Sequence, residues 1–544
     1  MQTHEVFNQV PPLNSINFFE ADQVLKDLLA KQDTKWGLER LKKYGALMGQ
    51  AEWIKKGFVA NKQHPVFHSH DAYGHRIDEI EFHPAYHELM AIATKYEIPA
   101  LPWKQPRKGA HLIRMALSYL HTQVEAGTGC PLTMTFSSVP PLKRHFPLAS
   151  EWLPKILNQQ YDPSNKPYFE KTGLTIGMAM TEKQGGTDVR ANTTQARPIN
   201  KRGIGEAYEL TGHKWFCSAP MCDGFLTLAQ TEQGLSCFLF PRWRPDGTKN
   251  TFRIQRLKDK LGNRSNASSE IEFEGAFAWL MGAEGKGVPT IIEMVGLTRY
   301  DCMIGSSALI RRGLSEVINH ISHRKVMGKL LVNQPLMQNV VADLCLESEA
   351  ALAMTYRAAL CLERTDQEEE QLLMRLLMPI GKYWITKRAT FFLAEAMECL
   401  GGNGYVEDSL LPRLFREAPV NAIWEGSGNV QCLDVLRAIQ KTPPVLTVYL
   451  KELDSAKGNN LLFDTYLAQL QQQISSLITQ PFQARNLTER LAKAMQAAQL
   501  IKLGNQLVAD AFCAARLNPA NSLMFGTLPT SIDCKRIIER NKLR

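Results

Sequence analysis

The stretch Ile423-Trp424-Glu425-Gly426-Ser427-Gly428-Asn429 sets one carboxylate between a large aromatic and a flexible, hydroxyl-bearing turn. A carboxylate in an apolar pocket is poorly solvated, gains proton affinity and can serve as a general base. A solvated loop carboxylate beside a core tryptophan would carry the same letters. Three more phrases hold chemistry-bearing residues. Met178-Ala179-Met180-Thr181-Glu182-Lys183-Gln184-Gly185-Gly186-Thr187 reads as a strand ending in a hydroxyl, then a glycine pair that lets another backbone come close. Gly212-His213-Lys214-Trp215-Phe216-Cys217-Ser218 reads as a strand with alternating aromatics. His323-Arg324-Lys325-Val326-Met327-Gly328, with Gln338 and Asp343 after it, offers an arginine at a helix end. Its planar fork suits a diphosphate, though a solvated guanidinium is the other reading.

The elements that must position these residues fall into four stretches. Residues 1–175 read mostly helical, with apolar residues at three- and four-residue spacing over 21–29, 39–48, 87–96 and 112–125. Proline pairs at Pro11-Pro12 and Pro140-Pro141 predict breaks. From Ile176 to about Met281, short β-rich runs alternate with turns, at 175–180, 208–211, 225–230, 236–241, 252–256 and 269–273. That spacing predicts a small antiparallel β-domain, with Gly212, Gly234, Gly247 and Gly262 at its turns. Helices over 287–322, 334–363, 369–401 and 427–440 predict an up-and-down bundle, with Pro379 bending or breaking the third. Gly401, Gly402 and Gly404 end that helix, and a short charged loop leads to Glu425. After a Pro443-Pro444 linker, residues 445–544 are helical in pattern over 467–478 and 486–517.

Composition narrows the class. No apolar run is long enough to span a bilayer, and the N-terminus lacks the basic-then-apolar order of a secretory signal, so a cytoplasmic protein is expected. Eleven scattered cysteines without a C-x-x-C fit reduced thiols better than a disulfide frame or a zinc site. His64, His68, His70, His75, His83 and His87 are crowded, but His-Pro-Ala-Tyr-His lacks the carboxylate of H-E-x-x-H, and structural histidines are expected. The net charge of +9 favours acidic partners. Residues 445–544 hold twelve Lys/Arg against seven Asp/Glu, which places more than half of that charge in under a fifth of the chain. Such a region is either an oligomerisation domain with a basic face or a sequence-tolerant phosphate-backbone surface.

Leu-Gly-Gly-Asn-Gly-Tyr405, followed some twenty residues later by Trp-Glu-Gly-Ser427, resembles the C-terminal signature of the acyl-CoA dehydrogenases. Met178–Asp188 resembles that family's A-M-T-E-x-x-x-G-S-D, and Gly212–Ser218 its G-x-K-x-W-I-[TS], with Phe216 for tryptophan. Leu257–Arg264 resembles its E-D-K-L-G-x-R, and Arg324–Gly328 its R-x-x-F-G, with Met327 for phenylalanine. The resemblance implies an α+β, mostly α fold: a helical domain (1–175), an antiparallel β-domain (176–284) and a helical bundle (285–440). Residues 445–544 add an extra helical domain. It implies FAD beside 178–187, with Phe216, Cys217 and Ser218 at the ring. Arg324 would reach the pyrophosphate of a neighbouring subunit in a homotetramer, and Ile423, Trp424 and Gly426–Asn429 would lie along the cofactor. Glu425 would take the α-proton of an acyl-CoA while its main-chain N–H polarises the thioester carbonyl, with Arg299 near the base.

The wording of these phrases, together with the basic C-terminal region, is similar to the branch of the family in the bacterial adaptive response to DNA alkylation. That implies binding of double-stranded DNA by the last domain, protection of DNA from alkylating agents and weak activity on isovaleryl-CoA. Arg516, Lys535, Arg536, Arg540, Lys542 and Arg544 are the candidate DNA contacts. A metabolic short branched-chain acyl-CoA dehydrogenase with an added oligomerisation domain is the alternative.

Overall fold

The computed structural model describes residues 3–518 and 524–543. Backbone contacts divide the chain into two compact units, each assembled from separate stretches.

One unit comprises Glu52–Arg107 and Val124–Asp301. It contains a hairpin absent from the helical reading of residues 1–175, β1 (Val66–His70) against β2 (Arg76–Glu81). Its sequence is rich in histidine and charge, and Ile80 is the one apolar residue buried in the two strands, beside the buried Asp78, so the apolar alternation is faint. The crowded histidines have separate jobs. His83 caps the helix Pro84–Lys95 by accepting from the Ala85 N–H, and His87 pairs with the Tyr161 hydroxyl at 3.0 Å. The helix Gly129–His145 runs through Pro140 and Pro141 instead of breaking. Pro140 has no N–H to give the Phe136 carbonyl, and the Trp103 indole N–H takes that place at 2.9 Å.

The rest of this unit is a seven-stranded sheet: β3 (Ile176–Ala179), β4 (Gln195–Pro198), β5 (Ala207–Ser218), β6 (Gly224–Thr231), β7 (Gly234–Pro241), β8 (Phe252–Leu257) and β9 (Ser268–Met281). The order is β3-β6-β4-β5-β9-β7, β7 returns to pair with β6, and β8 adds to β9. The sheet thus closes on itself, and it is not wholly antiparallel, since β3 and β4 run parallel to β6. Phe225, Phe240, Phe252 and Phe273 fill its interior, each contributing about 1.5–3 kcal/mol by leaving water. Gly212, expected at a turn, sits inside β5 beside a register shift with φ near +148°. A Cβ there would lie 2.6 Å from Thr194 Oγ1.

The other unit comprises Met1–Ala51, Lys108–Gln123 and Cys302–Arg544. At its centre the helix Pro335–Glu363 is buried all round from Val341 to Leu362. Glu368–Cys399 continues unbroken through Pro379, which is itself buried. It ends where Gly401 takes φ near +61°. The expected charged loop is instead two helices, Gly402–Tyr405 and Leu411–Asn421. Gly404 packs so closely on the preceding helix that a Cβ would lie 2.1 Å from the Met397 carbonyl oxygen.

The segment after Pro443 belongs to this unit rather than standing apart. Its expected long helix splits into Ala484–Leu503 and Gln506–Arg516, because Gly504 turns left-handed and the Asn505 side chain caps the second piece. An ion-pair network joins the segment to the bundle through Arg357 and Glu452. Arg357 pairs with Glu370 at 2.7 Å and with Glu452 at 2.9 Å, and Lys502 reaches Glu452 at 2.7 Å. Arg311 pairs with Asp22 at 3.2 Å and donates to Asn541, while Tyr119 donates to Asp22. No helix among the described residues is long and apolar enough to cross a membrane.

Candidate active site

In the bundle unit, the helices Leu411–Asn421 and Gly428–Lys441 bracket the turn that carries Glu425. Glu425 has φ near +59°, a left-handed conformation that costs a residue with a Cβ about 1–2 kcal/mol, and Gly426 follows at +97°. Two side chains hold this backbone. The fully buried Lys382 donates to the Trp424 carbonyl at 2.8 Å and to the Gly426 carbonyl at 2.6 Å. Gln431 donates to the Glu425 carbonyl at 3.0 Å and to the Gly426 carbonyl at 2.9 Å. The Trp424 indole donates to Asn421, whose amide donates in turn to Ser306. Glu425 itself is half-buried, Ile423, Ser427 and Asn429 are exposed, and Gly428 is buried against Lys387 and Tyr383. Asn429 accepts from Arg485 at 2.8 Å.

No motif in the sequence marks Lys382 or Gln431. The only trace of the lysine is one charge inside the apolar run Leu376-Leu-Met-Pro-Ile-Gly-Lys-Tyr383. Arg324 lies beside a two-residue hairpin turn at Met327 and Gly328, both at positive φ, and donates to the Asn8 carbonyl at 2.7 Å.

In the β-unit, the residues of 178–187 and 216–218 separate by strand alternation. Phe216 is 49% exposed, and Trp215 and Ser218 are half-buried. Lys258 stacks 3.3 Å from the Trp215 ring centre and 4.8 Å from that of Phe216. Met178, Met180 and Thr181 are half-exposed, and Lys183, Gln184, Gly185, Gly186 and Thr187 are exposed. Gly186 passes Thr181 so closely that a Cβ would lie 2.4 Å from Oγ1. Three expected cofactor contacts turn inward. Ala179 and Cys217 are buried in the sheet, where their carbonyls accept from Thr227 and Ser269, so only main-chain atoms remain to them.

Glu182 is the third. Its carboxylate is fully buried, meets Lys214 at 2.8 Å and accepts from the N–H and hydroxyl of both Thr193 and Thr194. Burial alone would raise its pKa, but Lys214 and these donors outweigh burial and hold the carboxyl well below the ordinary range. The pair fixes the loop between β3 and β4. Arg299 is half-buried, next to Asp301, which accepts from Thr133.

The C-terminal cations also divide. Arg516 is committed to Asp343 and Glu347, and Arg540 pairs with Glu349 at 3.1 Å and Asp27 at 2.9 Å. Both are largely buried, which removes these two from the expected phosphate surface. Lys535 and Arg536 are exposed, and Lys542 pairs with Glu539 at 2.5 Å. Arg544 lies outside the described residues.

Residues 8–163 match the family described as the adaptive response protein AidB N-terminal domain. Residues 177–276 match the acyl-CoA dehydrogenase middle domain, and residues 285–440 its C-terminal domain. The chain is 44% identical to AidB of Escherichia coli (strain K12), over 95% of each protein. It is 29% identical to acyl-CoA dehydrogenase family member 11 of Caenorhabditis elegans, over 84% of this chain and 76% of that one. The solved structure of ACDH-11 of Caenorhabditis elegans in complex with C11-CoA superposes with a TM-score of 0.86 at 26% identity, covering 99% of this chain and 98% of that one. The apo form of Bd2924 gives 0.84 at 29% identity, covering 92% and 100%. Fold, signatures and relatives together assign the chain to the acyl-CoA dehydrogenase family, on its AidB-like branch, as an oxidoreductase of the FAD-dependent acyl-CoA dehydrogenase type.

Proposed function

We propose that this protein desaturates short branched acyl-CoA thioesters, isovaleryl-CoA among them, at a low rate, with Glu425 as the α-proton base. The observation that carries this reading is the Glu425 turn. A left-handed glutamate pinned by four hydrogen bonds from two side chains is a backbone held in an unfavourable shape for a purpose. Bound FAD supplies the two-electron acceptor. The chain's own part is to bring Glu425 to the α-carbon and to present the Glu425 N–H to the thioester oxygen, where negative charge develops. Trp424 stands where the family usually carries a tyrosine, and its larger ring narrows the acyl pocket. Arg299 is a further candidate catalytic residue. The exposed Phe216 ring and the Ser218 hydroxyl are the β-unit's candidates for the flavin face, with main-chain groups of 178–187 along its edge. Arg324 reaches a neighbour's pyrophosphate within a homotetramer.

The test is solvent α-proton exchange into isovaleryl-CoA. Glu425→Gln should stay yellow with FAD and stop exchanging. Unchanged exchange in that variant removes Glu425 as the base.

We propose further that the protein is cytoplasmic, binds double-stranded DNA and protects it from alkylating agents. Lys535, Arg536, Lys542 and Arg544 are the candidate phosphate contacts, and the +5 balance of residues 445–544 supports the reading. Neutralising about three phosphates should weaken duplex binding roughly forty-fold between 50 and 200 mM salt. Gel shifts that show no binding at low salt, or none of this salt dependence, overturn it. In that case an acyl-CoA dehydrogenase with an added assembly region remains.

A further inference from the structure

We propose that Lys382 is a positioning residue that aims and polarises the peptide group donating to the substrate thioester. The inference rests on Glu425 being the base residue. The Trp424 carbonyl and the Glu425 N–H belong to one peptide plane. In a trans peptide the two point in opposite directions. Lys382 grips the Trp424 oxygen at 2.8 Å, so the Glu425 N–H is turned away from the lysine. No peptide in the described residues is cis.

The grip is also electrical. A cationic donor on a carbonyl draws electron density through the amide and makes its N–H a stronger donor. Lys382 is fully buried, where such polarisation is little screened. The same ammonium holds the Gly426 carbonyl, and Gln431 holds the Glu425 and Gly426 carbonyls. Three successive carbonyls are therefore drawn toward two side chains. That arrangement forces φ near +59° at Glu425, and it fixes where both the donor N–H and the carboxylate stem emerge. Gln431 contributes direction to this clamp, and Lys382 contributes direction and charge.

The test separates charge from scaffold. Lys382→Gln keeps a donor and removes the charge, and Lys382→Met removes both. The holoenzyme of each is given isovaleryl-CoA labelled with carbon-13 at the thioester carbonyl, and two quantities are read. One is the α-proton exchange rate across pH, and the other is the carbonyl stretch of the bound thioester by difference infrared. The expected result is a loss of exchange of about ten-fold to a hundred-fold in Lys382→Gln, with the carbonyl stretch moved back toward its value in water.

Gln431→Leu should leave the carbonyl stretch closer to the parent's, because the Trp424–Glu425 peptide keeps its cation. If Lys382→Met does not fold, Lys382→Gln and Gln431→Leu give the same comparison. Exchange and stretch unchanged in Lys382→Gln, while Glu425→Gln stops exchange, would overturn the role of Lys382 and leave the base in place. Exchange that survives Glu425→Gln would instead remove the reading beneath it.

Discussion

Lys214→Met is the sharpest stability test of the β-unit. Lys214 and Glu182 are both fully buried, with Nζ and Oε1 2.8 Å apart, and Lys214 also donates to the Leu228 carbonyl. Methionine fills nearly the same volume but leaves the carboxylate buried without a counter-ion. Breaking a buried pair from one side costs about 3–5 kcal/mol. A body of this size loses roughly 2–4 °C of melting temperature per kcal/mol, so the unit should melt roughly 6–20 °C lower.

The sign with pH follows from Glu182, whose folded pKa lies below its unfolded value. Its contribution is present above the unfolded carboxylate range and fades as pH falls through the folded value. The gap between parent and Lys214→Met should therefore narrow in acid. Glu182→Gln combined with Lys214→Met should recover part of the loss, since neither partner is then an unpaired charge. Calorimetry on the FAD-loaded protein reads the parent and both variants. A single variant melting within a degree of the parent, or a double variant worse than the single, would refute this account of what holds the 180–194 loop.

Other outcomes follow from individual contacts. Trp103→Phe keeps an aromatic ring but takes the indole N–H away from the Phe136 carbonyl beside Pro140, and should cost about 1 kcal/mol in urea unfolding. Met327 is 94% exposed at φ near +51° in a two-residue hairpin turn, so Met327→Asn should stabilise the chain by about 1 kcal/mol; a lower melting point would contradict this. Glu452 is held at about 2, against burial, by Arg357 and Lys502. The grip on the C-terminal segment should therefore weaken as pH falls from the ordinary glutamate range toward 2. Limited proteolysis across that range should show the segment opening earlier than in neutral solution, and Glu452→Gln should flatten the response.

The parts of the fold legible in the sequence were those with one dominant period. The bundle helices, expected at 287–322 and 334–363, occur as Gly287–His323 and Pro335–Glu363, because patterned runs of some thirty residues are far too long for strands. Prolines misled where a distant group makes good the missing bond, as Trp103 does for Pro140. The β1–β2 hairpin stayed hidden because its strands bury almost nothing of their own. Gly504-Asn505 could have been read as an end followed by a cap, and the continuous helix expected over 486–517 overlooked it.

Around Glu425 the motif letters were plain, while Lys382 reaches the turn from the helix Glu368–Cys399 and Gln431 from the helix that follows the turn, neither with a local signature. Charge counting pointed to the C-terminal segment as a basic surface. It could not tell that Arg516 and Arg540 spend their charge on buried acids of the bundle.

The bundle unit is stitched from three distant stretches, and Asp22, Tyr119, Arg311 and Asn541 meet in one buried cluster. During synthesis the first fifty residues emerge long before the helix that completes their surroundings. The apolar face of the helix Gln23–Leu29, with Leu25, Leu28 and Leu29, must wait about three hundred residues of translation for the helix Pro335–Glu363, and longer for Cys534–Asn541. The β-unit closes earlier, once β9 is out. Nascent chains of this protein should therefore lean on holdase chaperones at their leading end, and late nonsense mutations should waste the whole bundle rather than trim it.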